Sequence, residues 1–295
     1  MVKEVRSRIE EYIRDLGSGV VEELFLRLPP GKMLRSKLIL SIAGGERARD
    51  LAAMVELIHA ASLLHDDVID EADTRRGVPS INATNGDKSA VMLGDILYSK
   101  AFYELSRLPQ PIPQVVSRAV TLLSLGELED VELAKSFNPD REAYMEMVYK
   151  KTGSLIEASA EAAAILAGED PASFALFGKN LGIAFQIVDD ILDITQDSAT
   201  LGKPAMQDFA EGKTTLPYIY LYEALGEEER KRLRGLWGRA LEPEDEAWLR
   251  ERLEGSGALK RCKEDVRSLA AEALAAVGER PKLAAIMQKL IDRTY

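Results

Sequence analysis

One cysteine, Cys262, stands in a chain of 295 residues. A single thiol excludes an intrachain disulfide and a cysteine-built metal cage, and it suits a reducing compartment, so a cytoplasmic protein is expected. Positive charge is also in short supply: 38 lysines and arginines against 49 aspartates and glutamates leave a net charge of -11. Binding nucleic acid through its phosphates needs a basic face that the chain lacks overall, so no nucleic-acid partner is expected. No apolar run reaches the length that spans a bilayer, and no transmembrane segment is expected. Residues 1–16 set Val5, Ile9, Ile13 and Leu16 at helical spacing among charges, unlike the continuous apolar core of a signal peptide. Long alternating stretches of the strand type are missing, as are repeats of solenoid length, low-complexity tracts and flexible interdomain linkers.

What is present is apolar residues at spacings of three and four almost throughout, which predicts an all-α chain. Turn-forming clusters at 29–31, 44–45, 77–87, 108–113, 138–139, 168–171, 196–212, 242–243 and 255–257 separate it into roughly ten helices, enough for a bundle. A hydrophobic share of 46% allows a substantial core, and one domain over 1–295 is the simplest account. The charged, amphipathic segments after Gly226 read as a packing layer with solvated outer faces.

Two aspartate clusters of one pattern interrupt the apolar helical stretches: Asp66, Asp67 and Asp70, then Asp189, Asp190 and Asp193. Ionised carboxylates this close repel one another and lose hydration, unless hard cations such as Mg2+ reverse the sign. A helix over 52–72, turned by about 100° per residue, brings His59, Ser62, Asp66 and Asp70 onto one stripe with Asp67 to the side. Leu57, Leu64, Val68 and Ala72 fall opposite, as a core anchor. An acidic run by itself is ordinarily a solvated face. Here Arg75, Arg76 and Gly77 follow at once, setting two cations and a backbone break beside three anions, which suggests a diphosphate site. His59 and His65 each read first as structural histidines, since no second ligand histidine lies at helical spacing.

Over 174–195 the same projection aligns Gly178, Gly182, Gln186, Asp189 and Asp193, with Ile187, Ile191 and Ile194 on the far side. A glycine inside a helix costs about 1 kcal/mol relative to alanine. The two glycines mark either close helix packing or an open groove toward Asp189. The segment 201–217 follows, with Lys203 and Lys213 between glycines, as a lid or binding loop or as a solvated connector.

These residues, in this order, are similar to the trans-type polyprenyl diphosphate synthases, the isoprenoid head-to-tail condensing prenyltransferases. The resemblance runs nearly end to end. It rests on Gly31, Lys32 and Arg35, on Leu63 to Asp70 with Arg75, Arg76 and Gly77, on Lys151 and Thr152, on Gly182 through Asp193, and on the lysine segment ending at Pro217. Ser36 stands where the family usually has proline, Pro30 where a second glycine is common, and Met206 where glycine is frequent. None of these removes a charge or a metal ligand.

The resemblance implies an all-α bundle around a central elongated cavity, a homodimer, and Mg2+ held by Asp66, Asp70 and Asp189. Asp67, Asp190 and Asp193 then act as outer ligands or as orienters. Arg75, Lys151, Lys203 and Lys213 clamp an allylic diphosphate, Thr152 and Gln186 lie beside the developing cation, and Lys32, Arg35, His59 and Arg76 bind isopentenyl diphosphate. Ala61 and Ser62 occupy the place where large side chains would stop product growth, with Met54, Val55 and Ile58 further back. Small residues there imply a long product, hexaprenyl to octaprenyl, grown from farnesyl diphosphate. A short-chain farnesyl or geranylgeranyl diphosphate synthase, a terpene cyclase and a non-catalytic subunit of a heteromeric synthase are the rival readings. The last two are disfavoured by the complete set of aspartates and by the second basic pocket.

Overall fold

A computed structural model of the chain describes residues 2–195 and 205–294, so Lys203 lies outside the described residues. Helices dominate: α1 Val2–Arg14, α2 Gly19–Leu26, α3 Leu34–Ile42, α4 Glu46–Ile69, α5 Ile81–Asn85, α6 Asp87–Leu105, α7 Ile112–Leu133 and α8 Arg141–Val148. A π-helical turn, Tyr149–Gly153, leads into α9 Ser154–Ala167 and then α10 Pro171–Thr195. After these come α11 Gln207–Ala210, α12 Leu216–Ala224, α13 Glu227–Leu236, α14 Pro243–Gly255, α15 Ala258–Val277 and α16 Pro281–Ile291. The chain divides into two compact units, Met1–Val120 with Leu155–Ala175, and Thr121–Ser154 with Leu176–Tyr295.

The fold is all-α, with one departure. Thr74–Arg75 pairs antiparallel with Val78–Pro79 as a minimal ribbon, β1 and β2. Its turn residues, Arg76 and Gly77, have φ of 54° and 77°, the pair of positive values that a type I′ hairpin turn requires. The helices also outnumber the turn signals read from the sequence. Gly17, at φ 64°, and the N-cap Ser18 divide α1 from α2, while Gly278, at φ 65°, and Pro281 divide α15 from α16.

In the first unit α4 is the central element, with α1, α3 and α6 packed on it. From Leu51 to Ile58 every residue except Glu56 is buried, so this stretch is enclosed all round rather than along one face. The expected anchor of Leu57, Leu64, Val68 and Ala72 therefore needs correcting. Leu57 and Leu64 are buried, Val68 only partly, and Ala72 lies beyond the helix. Glu71, in the left-handed region at φ 50°, ends α4: Ala72 N–H donates to Asp67 C=O at 2.9 Å and Glu71 N–H to Val68 C=O at 3.3 Å. This is the Schellman arrangement, with glutamate where glycine is usual.

In the second unit α12 packs against α8, α14 and α15. The helices after Gly226 each keep a narrow buried seam, such as Leu233 and Leu236 on α13, Leu249 and Leu253 on α14, and Leu283, Met287 and Leu290 on α16. No helix among the described residues is long and apolar enough to cross a membrane.

Cys262 on α15 is fully buried, and burial first, then the carboxylates of Asp190 and Asp265, push its thiol well above the ordinary range. A thiol in that setting is inert. In the native protein it should resist a disulfide-exchange reagent at neutral pH, and one thiol per chain should react on unfolding in guanidinium chloride. Rapid native reaction would place Cys262 in an open region.

Candidate active site

Both aspartate clusters sit in the last turns of long helices, where the peptide dipoles present partial negative charge. Each carboxylate is therefore repelled by its neighbours and by its own helix. At the end of α4, Asp67 is buried and pairs with Arg75, whose Nε lies 2.7 Å from Asp67 Oδ1 while Nη2 meets the same oxygen. Burial pushes the Asp67 carboxyl up, against the pull of Arg75. Asp66 is partly exposed and Asp70 exposed. The ribbon supplies the arginine. Its base is tied back to α4 by Ser80 Oγ donating to Ala72 C=O at 2.6 Å and by Asn82 Nδ2 donating to the carbonyls of Ala72 and Asp67 at 3.0 and 3.2 Å.

The same turn aims Arg76 at a basic pocket with Arg35 and His59. A Cβ on Gly31 would stand 3.2 Å from Arg76 Nη1, so the backbone at 31 passes close against the guanidinium. Burial above all pushes the Arg35 guanidinium down to about 10, with Glu56 opposing and Arg76 adding to the shift. Arg35 Nε is buried without a hydrogen-bond partner. Burial, then the charges of Arg35, Arg76 and Arg75, push the His59 imidazole well below its ordinary range, so it is uncharged at neutral pH. An unmatched guanidinium donor with a second guanidinium nearby is what a diphosphate oxygen would complete. Lys32 is exposed at the rim of this segment. His65 is structural: its Nε2 lies 3.2 Å from Val91 C=O, in space left by Gly94.

At the end of α10 the second cluster divides by burial. Asp190 accepts from the Tyr144 hydroxyl and, at 3.0 Å, from Gln186 Nε2, while Gln186 Oε1 accepts from Thr152 Oγ1 at 3.2 Å. Burial, then Asp208, pushes Asp190 up to about 8. Asp193 is also buried, and its Oδ2 accepts from Asp208 N–H at 3.3 Å. Asp189 remains partly exposed and pairs with Arg293 at 2.8 Å. Gly182 answers one of the two glycine alternatives: its Cβ would come within 2.6 Å of Gly153 Cα, so close packing of α10 on the π-helical turn accounts for it.

The π-helical turn carries Lys150, Lys151 and Thr152, and such turns occur often at functional sites. Gly126 on α7 makes room for it, since a Cβ there would meet Lys151 N at 2.3 Å. Lys151 Nζ lies 2.9 Å from Glu127 Oε2 and 2.6 Å from Asp130 Oδ2. Burial alone would lower its pKa, but Asp130 and Glu127 outweigh that and raise it. Lys213 is partly buried, 3.6 Å from Glu211.

Glu127, Asp130, Tyr144 and Arg293 were not singled out in the sequence. Glu127 and Asp130 lie beside Gly126, whose place inside a helix was their one available signal. Arg293 corrects the reading of the C-terminal region as packing alone, because no spacing rule links it to Asp189, 104 residues away.

Among the described residues no three histidine, cysteine, aspartate or glutamate side chains form a ready metal cage. Mg2+ seldom has one. It dehydrates reluctantly and is usually held by one or two carboxylates, waters and substrate phosphates, and the accessible carboxylates of Asp66 and Asp70 on α4, and separately of Asp189 on α10, are hard oxygen ligands of that type.

A family model described as Polyprenyl synthetase matches residues 20–252. The chain belongs to the polyprenyl synthetase family. Over 98% of its length and 98% of the other chain's, this synthetase is similar to the crystal structure of octaprenyl pyrophosphate synthase from Helicobacter pylori, at 43% identity and a TM-score of 0.94. It is similar at 37% identity over 249 residues, 78% of this chain and 76% of the relative, to the short chain isoprenyl diphosphate synthase of Methanothermobacter thermautotrophicus. The octaprenyl diphosphate synthase of Escherichia coli is 42% identical over 176 residues, 58% of this chain and 54% of the relative.

Gly182→Ala should lower stability by about 1–3 kcal/mol in urea unfolding, because the new methyl meets backbone rather than a movable side chain. Undiminished stability would mean that α10 and the π-helical turn part without cost.

Proposed function

We propose that this polyprenyl synthetase is a prenyltransferase that condenses an allylic diphosphate, farnesyl diphosphate foremost, successively with isopentenyl diphosphate to give a long-chain all-trans polyprenyl diphosphate. The observation that carries the reading is the pocket of Arg35, His59 and Arg76, with its unmatched buried Arg35 Nε, on the same helical unit as Asp66, Asp67 and Asp70. A basic site for one diphosphate and an acidic site that needs cations are the two halves of this chemistry. Family membership and the extensive similarity to octaprenyl pyrophosphate synthase support it.

In this reading Asp66, Asp70 and Asp189 hold Mg2+, which when bound neutralises the allylic diphosphate and stabilises it as a leaving group. Arg75 and Lys151, with Lys203 and Lys213, donate to the diphosphate oxygens, and these bonds strengthen as the allylic C–O bond breaks and its electron pair leaves with the diphosphate. Thr152, which donates to Gln186, and Gln186, which donates to Asp190, turn fixed dipoles toward the allylic cation without attacking it. Lys32, Arg35, His59 and Arg76 hold isopentenyl diphosphate so that its double bond supplies the electrons of the new C–C bond. A proton then passes to the released diphosphate. A neutral His59 suits this role, since it donates one hydrogen bond to a phosphate without adding a third positive charge.

Product length is read from Ala61, fully buried, and Ser62, 5% exposed, whose hydroxyl turns back to His59 C=O at 3.0 Å. Both leave little side-chain volume on α4. A homodimer, a single domain over 1–295 and a cytoplasmic setting belong to the same proposal.

Incubation with farnesyl diphosphate, isopentenyl diphosphate and Mg2+, followed by mass analysis, should yield hexaprenyl to octaprenyl diphosphates. Asp66→Ala and Asp189→Ala should each lose at least about a thousandfold in turnover with the helical circular dichroism unchanged. Full activity in either would refute the metal assignment. Ala61→Phe should shorten the product, and an identical length distribution would remove Ala61 from the chain-length role.

A further inference from the structure

Glu56 is the single residue between Leu51 and Ile58 that α4 does not bury, and its carboxylate turns to the start of α3. Oε1 accepts from the Ser36 backbone N–H at 3.1 Å and from the Ser36 hydroxyl at 2.8 Å. Ser36 is fully buried in the first turn of α3, where a helix leaves its own N–H groups without carbonyl partners and its dipole favours negative charge. Glu56 thus caps α3 from a neighbouring helix. The hydroxyl bond needs a serine or threonine at this position, and proline, which the first turn of a helix tolerates well, would supply neither donor.

Arg35 adjoins Ser36 in the chain, and Glu56 lines one cavity with Gly31, against which the Arg76 guanidinium lies, so both guanidinium groups fall within the field of this carboxylate. The bonds of Glu56 go to Ser36 rather than to either arginine, and Arg35 Nε keeps its unmatched donor. A carboxylate that bound the arginines directly would compete with an incoming phosphate. One tethered to a serine beside them offsets their charge at a distance and leaves their donors available. The two effects have opposite signs: the negative charge makes a partly buried Arg35 tolerable, and it also opposes the second negative charge that a substrate brings.

We propose that Glu56, tethered to Ser36, is the countercharge that sets the affinity of the Arg35, His59 and Arg76 pocket for isopentenyl diphosphate. This rests on the reading of that pocket given above. Glu56 touches no reacting atom, so its part is played through the arginines. Neutralising it without loss of shape should tighten diphosphate binding and weaken the fold.

The test is Glu56→Gln, whose side-chain oxygen still accepts both Ser36 bonds. Calorimetric titration with isopentenyl diphosphate, and separately with inorganic diphosphate, should give dissociation constants about tenfold lower than for the unaltered protein. The KM for isopentenyl diphosphate should fall in parallel with no rise in kcat, and the melting temperature should drop. Ser36→Ala, which keeps the charge, should leave the affinity close to that of the unaltered protein while lowering stability. Arg35→Gln is the control for the pocket. If it binds isopentenyl diphosphate as tightly as the unaltered protein, the assignment of the pocket fails. If Arg35→Gln weakens binding while Glu56→Gln binds equally or more weakly than the unaltered protein, the role of Glu56 is overturned and the pocket stands.

Discussion

Carboxylates crowded at the negative end of a helix are the constraint from which the arrangement of this synthetase follows. Asp66, Asp67 and Asp70 close α4, and Asp189, Asp190 and Asp193 close α10. In each place like charges and the helix dipole add, so positive charge or strong donors must be delivered to the spot. The protein meets part of this itself: Arg75 is set on Asp67, Tyr144 and Gln186 on Asp190, and Arg293 on Asp189. Asp66, Asp70 and Asp189 are the more accessible members. Burial thus divides each cluster into enclosed carboxylates and more accessible ones.

Delivering those cations depends on stiff, unusual backbone rather than on long flexible side chains. The Arg76–Gly77 turn, with both φ positive, holds two arginines at the end of α4. The π-helical turn presents Lys151 and Thr152, and it fits only because Gly126 and Gly182 on neighbouring helices have no side chain. Other non-glycine residues in the left-handed region stand at helix ends, Met33 before α3, Glu71 after α4 and Met206 before α11. Such conformations cost free energy and persist where the surroundings over-determine them, which is the pattern of a preorganised site.

The basic pocket follows the converse rule. Two guanidinium groups and a neutral imidazole stand close together with a buried donor unmatched, and one carboxylate offsets them from a serine tether. Electrostatic preorganisation of this kind costs stability in the free protein and returns it when an anion binds. The chain's membership of the polyprenyl synthetase family and its 43% identity with an octaprenyl pyrophosphate synthase accord with the proposed reading of that arrangement.

The all-α class, most helix breaks and the helical setting of both aspartate clusters were legible in the sequence, whereas the basic pocket was named there only through resemblance to a family. Each is local: periodicity of three and four, glycine and proline breaks, and carboxylates set one turn apart are written within a few dozen residues. Where local rules were extended they failed in particular ways. Ala72 fell outside α4 because Glu71 adopts the left-handed conformation, and the β1–β2 ribbon escaped notice because two-residue strands have no periodicity. Which aspartate is buried and which faces outward, whether Gly182 marks packing or a groove, and which groups meet Lys151, Asp189 and Ser36 were decided by tertiary structure alone. Those outcomes depend on contacts between residues as far apart as 104 positions, and on desolvation, which belongs to the packed surroundings rather than to any one segment of chain.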